Sequence, residues 1–303
     1  MRRTVMRFFL VIASLLVVSP VHASWAGFRG NGPTYVSDAP WEVATGVALE
    51  TLWKSSIGSG YSEVVVRDDQ VVVALTDGDR DVLASLDRET GQEHWRYDLG
   101  EVWTGRAGSL DGLTSTPAVG ADRVYCLTPF GIFHAVDRRT GEKVWTINLL
   151  DAYGARVPTY GISTSPIVYG DTVILQVGGK AGLVAFDRAT GAERWKTVWR
   201  KVWHETPTIV QLEGREVLLA MSREAAHAID PSSGKELWKH PAPGRGTAHI
   251  IPSSEGRFGY SAMGQMFEFD RSARPDTAAV KEVWTSKHIR GTNVIPVYRD
   301  GHS

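Results

Sequence analysis

The sequence predicts an all-β protein built as a propeller of four-stranded blades, and three observations carry that prediction. A unit of the form Asp-x-x-Thr-Gly-x-x-x-Trp recurs along the chain. A proline marker recurs in register with it, and each period divides into four short apolar stretches separated by turn residues. Four strands in every ~40–50 residues is the pattern of propeller blades.

Taken from the N-terminus, Arg2, Arg3 and Arg7 precede an apolar run from Phe8 to Val18 and then Val21-His22-Ala23. A basic start, a short apolar core and small residues before a cleavage point read as a secretory signal peptide over residues 1–23. The run is shorter than the roughly 20 residues that a spanning helix needs. With cleavage after Ala23, Ser24 opens the mature chain, so no cysteine stands there to carry a lipid. The expectation is export to the periplasm or beyond, with no transmembrane anchor left after cleavage. Residues 24–52 then form an N-terminal segment and a partial blade ahead of Trp53.

The repeats occupy residues 53–284. Asp87-Arg88-Glu89-Thr90-Gly91 leads to Trp95, Asp137-Arg138-Arg139-Thr140-Gly141 to Trp145, and Asp187-Arg188-Ala189-Thr190-Gly191 to Trp195. Asp230-Pro231-Ser232-Ser233-Gly234 leads to Trp238, and a degenerate fifth copy runs from Asp270 to Trp284. The second marker, Pro117, Pro166, Pro207, Pro252 and Pro296, opens a short apolar stretch each time. Within one period, Ser115 to Val119, Arg123 to Leu127, Gly131 to Asp137 and Lys143 to Ile147 read as the four strands. The unit has a mechanical reason: the aspartate can accept from backbone N–H groups two residues on, and the glycine supplies the positive φ that closes the turn. The tryptophan is expected on the outer strand, packed between neighbouring blades. Asp87, Gly91, Trp95, Asp137, Gly141, Trp145, Asp187, Gly191, Trp195, Asp230, Gly234 and Trp238 are therefore read as structural.

Residues 285–303 begin one more blade: Gly291 to Val297 repeats the inner-strand marker, and Arg299-Asp300-Gly301 the turn after it. Five full repeats plus partial ones are expected to belong to a ring of seven or eight blades, of which this chain is a truncated part. Composition excludes some partners. With 33 Lys and Arg against 34 Asp and Glu, there is no charge excess to bring the chain to nucleic acid or an anionic lipid surface. Cys126 is the sole cysteine, so no internal disulfide can form and stability has to come from burial.

The Asp-x-x-Thr-Gly-x-x-x-Trp unit resembles the repeat of the pyrroloquinoline-quinone (PQQ)-binding-like β-propeller superfamily, which includes quinoprotein alcohol dehydrogenases. Trp25, Phe28-Arg29-Gly30 and Gly60-Tyr61-Ser62 are similar to the opening of a secreted bacterial subgroup. A more distant resemblance is to BamB-like propellers of outer-membrane protein assembly. The resemblance implies fold more than chemistry, because one fold hosts many functions. Quinoprotein enzymes of this superfamily would use PQQ and calcium on an alcohol or sugar. Several hold PQQ near adjacent cysteines, which this sequence lacks.

Other candidate chemistry is sparse. Asp77-Gly78-Asp79-Arg80-Asp81 alternates carboxylates as a calcium loop does, but the twelfth position is Arg88 where a glutamate should stand. It reads as a solvated hairpin tip, and no metal site is assigned. His94, His134, His204, His227, His249 and His288 are scattered singly. More regular is an arginine in each connection from outer strand to next inner strand: Arg106, Arg156, Arg200, Arg245 and Arg290. Trp103, Tyr153, Tyr160 and Trp203 accompany them. If these connections share one end of the propeller, the arginines and Trp103, Tyr160 and Trp203 would ring the channel mouth and meet an anionic, carbohydrate-like or protein ligand. The function expected is a non-catalytic binding or scaffold module for a protein or polysaccharide of the cell envelope. The alternative is the quinoprotein-like oxidoreductase.

Overall fold

A computed structural model of the chain describes residues 26–31, 50–105, 112–199, 202, 205–212, 214–241, 250–252, 257–260, 265–269 and 280–285, the last four segments by backbone only. The described strands form five four-stranded antiparallel sheets, each in simple sequence order. Blade 1 is β1 (Val65–Arg67), β2 (Gln70–Asp77), β3 (Arg80–Asp87) and β4 (Glu93–Glu101). Blade 2 is β5 (Ala118–Val119), β6 (Arg123–Leu127), β7 (Ile132–Asp137) and β8 (Lys143–Asn148), close to the four stretches expected from sequence. Blade 3 is β9 (Ile167–Tyr169), β10 (Thr172–Gly178), β11 (Ala181–Asp187) and β12 (Glu193–Lys196). Blade 4 is β13 (Thr208–Leu212), β14 (Arg215–Met221), β15 (Ala225–Ile229) and β16 (Glu236–Pro241). Blade 5 is β17 (Ile250–Pro252), β18 (Arg257–Tyr260), β19 (Gln265–Phe269) and β20 (Val280–Thr285). A short helix, α1 (Leu149–Tyr153), lies in the connection from blade 2 to blade 3.

Strand composition follows position in the blade. The middle strands are apolar runs: β10, Thr172-Val-Ile-Leu-Gln-Val-Gly178, is buried along its whole length because neighbouring blades cover both faces. The outer strand β4 instead alternates, with Trp95 and Leu99 inward and Glu93, Arg96 and Asp98 outward. The core accordingly lies between blades. One cluster joins Tyr125, Phe133 and Trp145 of blade 2 to Val173, Val184 and Phe186 of blade 3.

The repeat unit is the clamp that stacks the blades. Asp87 Oδ1 accepts from the N–H groups of Glu89 at 3.1 Å and Thr90 at 2.7 Å, and the Gly91 N–H closes onto the Asp87 carbonyl. The Thr90 hydroxyl, which donates to the same oxygen at 2.7 Å, together with the N–H groups of Glu89 and Thr90 holds the Asp87 carboxyl below its ordinary range. Gly91 has φ +72°, and the Trp53 ring lies so close that a Cβ there would come within 2.6 Å of it. The same geometry repeats with Trp95 on Gly141, Trp145 on Gly191 and Trp195 on Gly234. Each ring also donates its Nε1–H to a carbonyl of the turn it covers: Trp53 to Arg88, Trp95 to Arg138, Trp145 to Arg188 and Trp195 to Pro231. Glycine is thus demanded twice, by backbone sign and by ring contact. Burying one such ring is worth about 4–6 kcal/mol of gross hydrophobic stabilisation, and the polar handle is not left unpaired.

The proline marker has its own clamp. The hydroxyl before Pro117, Pro166 and Pro207 accepts a backbone N–H from the preceding inner segment: Thr116 from Glu63 at 3.1 Å, Ser165 from Thr116 at 3.0 Å, and Thr206 from Ser165 at 2.8 Å. A residue before proline is held extended. Its side chain is then free to reach sideways between inner strands rather than along its own.

Candidate binding face

The antiparallel order in each blade fixes which loops share an end. The turns between second and third strands and the connections from outer strand to next inner strand lie on one face; the Asp-x-x-Thr-Gly turns lie on the other. Among the described residues, Trp103, Arg156 and Tyr160 therefore lie in connections on this loop face.

On that face the connection from blade 2 to blade 3 is built tightly. Asn148 caps α1, its Oδ1 accepting from the N–H groups of Leu150 and Asp151, and Gly154 ends it in the left-handed region. Arg156 and Tyr160 follow and are exposed, Tyr160 at 54%. Behind Tyr160 the loop is pinned, because the Ile162 N–H donates to Pro129 in the β6–β7 turn at 2.9 Å. Trp103 comes from the neighbouring connection and is buried. Its ring meets Phe130 edge-on with centroids 5.1 Å apart, and a Cβ on Gly161 would stand 3.4 Å from it. Trp103 thus forms the floor on which the Tyr160 loop rests. Tyr153 turns inward and donates to Glu193 at 2.9 Å, with burial pushing its phenol up. Arg106, Arg200, Arg245, Arg290 and Trp203 lie outside the described residues.

The acidic hairpin divides in two. Asp77 and Asp79 stand exposed at the β2–β3 turn around Gly78, as expected of a solvated tip. Asp81 corrects that expectation, being buried at 1% exposure. Its Oδ1 accepts from the Thr76 hydroxyl at 2.6 Å and its Oδ2 from the Trp103 N–H at 3.5 Å, while burial pushes the carboxyl up. It therefore braces the Trp103 connection.

Sequence reading missed a second feature, in the groove between blades 3 and 4. The outer strand β12 stops at Lys196, and Thr197 Oγ1 accepts the Leu183 N–H at 2.8 Å. The chain then turns inward, so that Trp199 covers Gly182 on one side and stacks on His227 with centroids 4.1 Å apart. His227 is 5% exposed, with Nδ1 2.7 Å from Glu236 Oε2 and Nε2 2.9 Å from Ser222 Oγ. Burial lowers its pKa and Glu236 partly restores it. A cavity of about 800 Å³ is lined by Thr197, Trp199, Ser222, His227, Glu236 and Lys239, among others. The available signal was positional: His227 precedes Asp230 by the same spacing as His134 precedes Asp137.

Among the described residues no group of three or more His, Cys, Asp or Glu side chains converges to hold a metal ion. Cys126 is fully buried inside blade 2, its thiol pushed up to about 12 by burial, and lines no cofactor space. No helix among the described residues is long and apolar enough to cross a membrane.

Stacked four-stranded sheets clamped by tryptophan on glycine define a β-propeller of PQQ-type repeats. The sequence profile of the family described as outer membrane protein assembly factor BamB matches residues 42–198, 79–257 and 180–292, and the chain belongs to that family. It is 26% identical over 235 residues to the outer membrane protein assembly factor BamB of Burkholderia pseudomallei, covering 64% of this chain and 59% of that protein. It is 30% identical over 158 residues to the quinohemoprotein alcohol dehydrogenase ADH IIB of Pseudomonas putida, covering 51% of this chain and 21% of the enzyme. The crystal structure of the quinohemoprotein alcohol dehydrogenase from Comamonas testosteroni superposes with a TM-score of 0.53 at 18% identity, over 77% of this chain and 46% of that one. The chain thus spans under two thirds of each of these relatives.

Proposed function

We propose that this chain is an exported scaffold whose loop face binds a protein or polysaccharide of the cell envelope without turning it over. The observation that carries the reading is the family match across most of the repeats, to a family described as an assembly factor. The loop face supports it: exposed Arg156 and Tyr160 stand on a pinned loop over a buried Trp103–Phe130 floor, the pairing of aromatic and arginine common at protein interfaces. Export rests on the basic and apolar segment over residues 1–23.

A second reading, an oxidoreductase using PQQ and calcium on an alcohol or sugar, draws on the 30% identity to a quinohemoprotein alcohol dehydrogenase. One titration separates the two. The mature protein is titrated with PQQ and calcium, following cofactor fluorescence and dye reduction with alcohols and sugars. The scaffold reading expects no saturable binding and no dye reduction. Saturable binding with turnover overturns it in favour of the oxidoreductase.

A further inference from the structure

The Ser222, His227 and Glu236 side chains form a directed chain that the repeat itself does not require. The equivalents of His227 are Ala84 in blade 1 and Val184 in blade 3, and both blades stack without an imidazole. In blade 4, His227 Nδ1 stands 2.7 Å from Glu236 Oε2, and the ring that donates its Nδ1–H to this carboxylate oxygen has its lone pair on Nε2. The Nε2 lone pair then faces Ser222 Oγ at 2.9 Å. Stacking on Trp199, itself packed against Gly182, fixes the ring plane. The N–H groups of Glu224 and Ala225 donate to Ser222 Oγ at 3.2 and 3.0 Å and hold the hydroxyl in place at the turn between β14 and β15. Nucleophile, base and orienting carboxylate within hydrogen-bond reach make an activated nucleophile. All three line the cavity of about 800 Å³, with Lys239 on the same wall.

We propose that Ser222 is an activated nucleophile that accepts an acyl group from a small activated ester entering the groove between blades 3 and 4. Ser222 Oγ bonds to the acyl carbon as its proton passes to His227 Nε2. The bond from that carbon to the leaving oxygen breaks, and the departing alcohol takes the proton from Nε2, leaving an acyl-serine and a neutral imidazole. Water, deprotonated by the same nitrogen, can release the acid and restore the serine. This chemistry requires neither the scaffold role nor PQQ.

The test uses the full mature chain with p-nitrophenyl acetate and, separately, a fluorophosphonate, followed by peptide mapping. A burst of about one equivalent of nitrophenolate, or sustained turnover, is expected with the adduct on Ser222. Ser222→Ala removes both, and His227→Gln slows acylation about 100-fold, the ordinary contribution of a general base. Glu236→Gln slows it less, because the carboxylate only orients the ring. Far-UV circular dichroism and tryptophan fluorescence confirm that each variant is folded. Adducts confined to lysines, no adduct on folded wild-type protein, or unchanged Ser222 labelling in folded His227→Gln would each overturn the assignment.

Discussion

Blades 2 and 4 carry a histidine at the same position of the third strand, and the two sites have opposite characters. His134 of β7 meets Tyr97 of blade 1, edge-on with centroids 5.6 Å apart and with the Tyr97 hydroxyl 3.1 Å from Nδ1. Its Nε2 has no hydrogen-bond partner among the described residues, and burial pushes its pKa down to about 4. His227 of β15 meets Trp199 of blade 3 face to face, and both of its nitrogens are engaged. The cause lies one blade earlier. The nine-residue β4 seals the interface over His134, whereas the four-residue β12 ends early and leaves a groove beside His227. One register position is thus a dry plug or a polar centre, according to how far the neighbouring outer strand runs.

The largest expected effect breaks the sealed interface. Trp95→Ala removes a ring that is 8% exposed and docked on Gly141, and should cost about 3–5 kcal/mol in urea unfolding. Trp195→Ala, at the open interface where the ring is only half-buried, should cost less. Equal losses would remove the distinction between the two interfaces.

The next effect is on pH dependence. The folded protein holds His134 neutral down to about pH 4, while the unfolded chain takes up the proton near 6.5. Between those values the unfolded state binds more protons, so this contribution is full above the upper value and is lost as pH falls through the window. It amounts to about 3 kcal/mol. His134→Leu should flatten the stability profile over that range relative to wild type. An unchanged slope would show that His134 is not held dry.

A smaller effect is expected at the open site. His227→Leu keeps the contact with Trp199, leaves Ser222 bonded to Ala225 and leaves Glu236 in reach of water, so it should cost about 1–2 kcal/mol near neutral pH. A loss larger than that of Trp195→Ala would make the His227 contact, rather than ring docking, the main tie between blades 3 and 4.

Much of this architecture was legible because the repeat encodes local rules. Asp87 and Gly91 announce the turn, Trp95 announces the clamp, and strand boundaries in blade 2 follow from turn residues alone. The polar chain was not legible. Ser222, His227 and Glu236 are brought together by two antiparallel pairings and a bulge between Ala228 and Ile229, none of which leaves a spacing signature. Trp199 was hidden for a similar reason, since Thr197-Val198-Trp199 reads as a continuing strand until Gly182 opens space for the ring. Trp103 carries the aromatic chemistry expected of a channel mouth, yet packing on Phe130 and the Asp81 brace place it in the floor. Loop positions tell which end of a blade a residue occupies, but not whether it faces out.

In the proposed scaffold the loop face, and not the turn face, meets the partner. The direct measurement places a photo-cross-linking residue at Tyr160 on the loop face or at Glu89 on an Asp-x-x-Thr-Gly turn, in protein expressed in its own envelope. Adducts from position 160 that are absent from position 89, and that weaken when Arg156→Ala is added, are the predicted result. Equal adducts from both positions, or adducts from position 89 alone, would contradict the account.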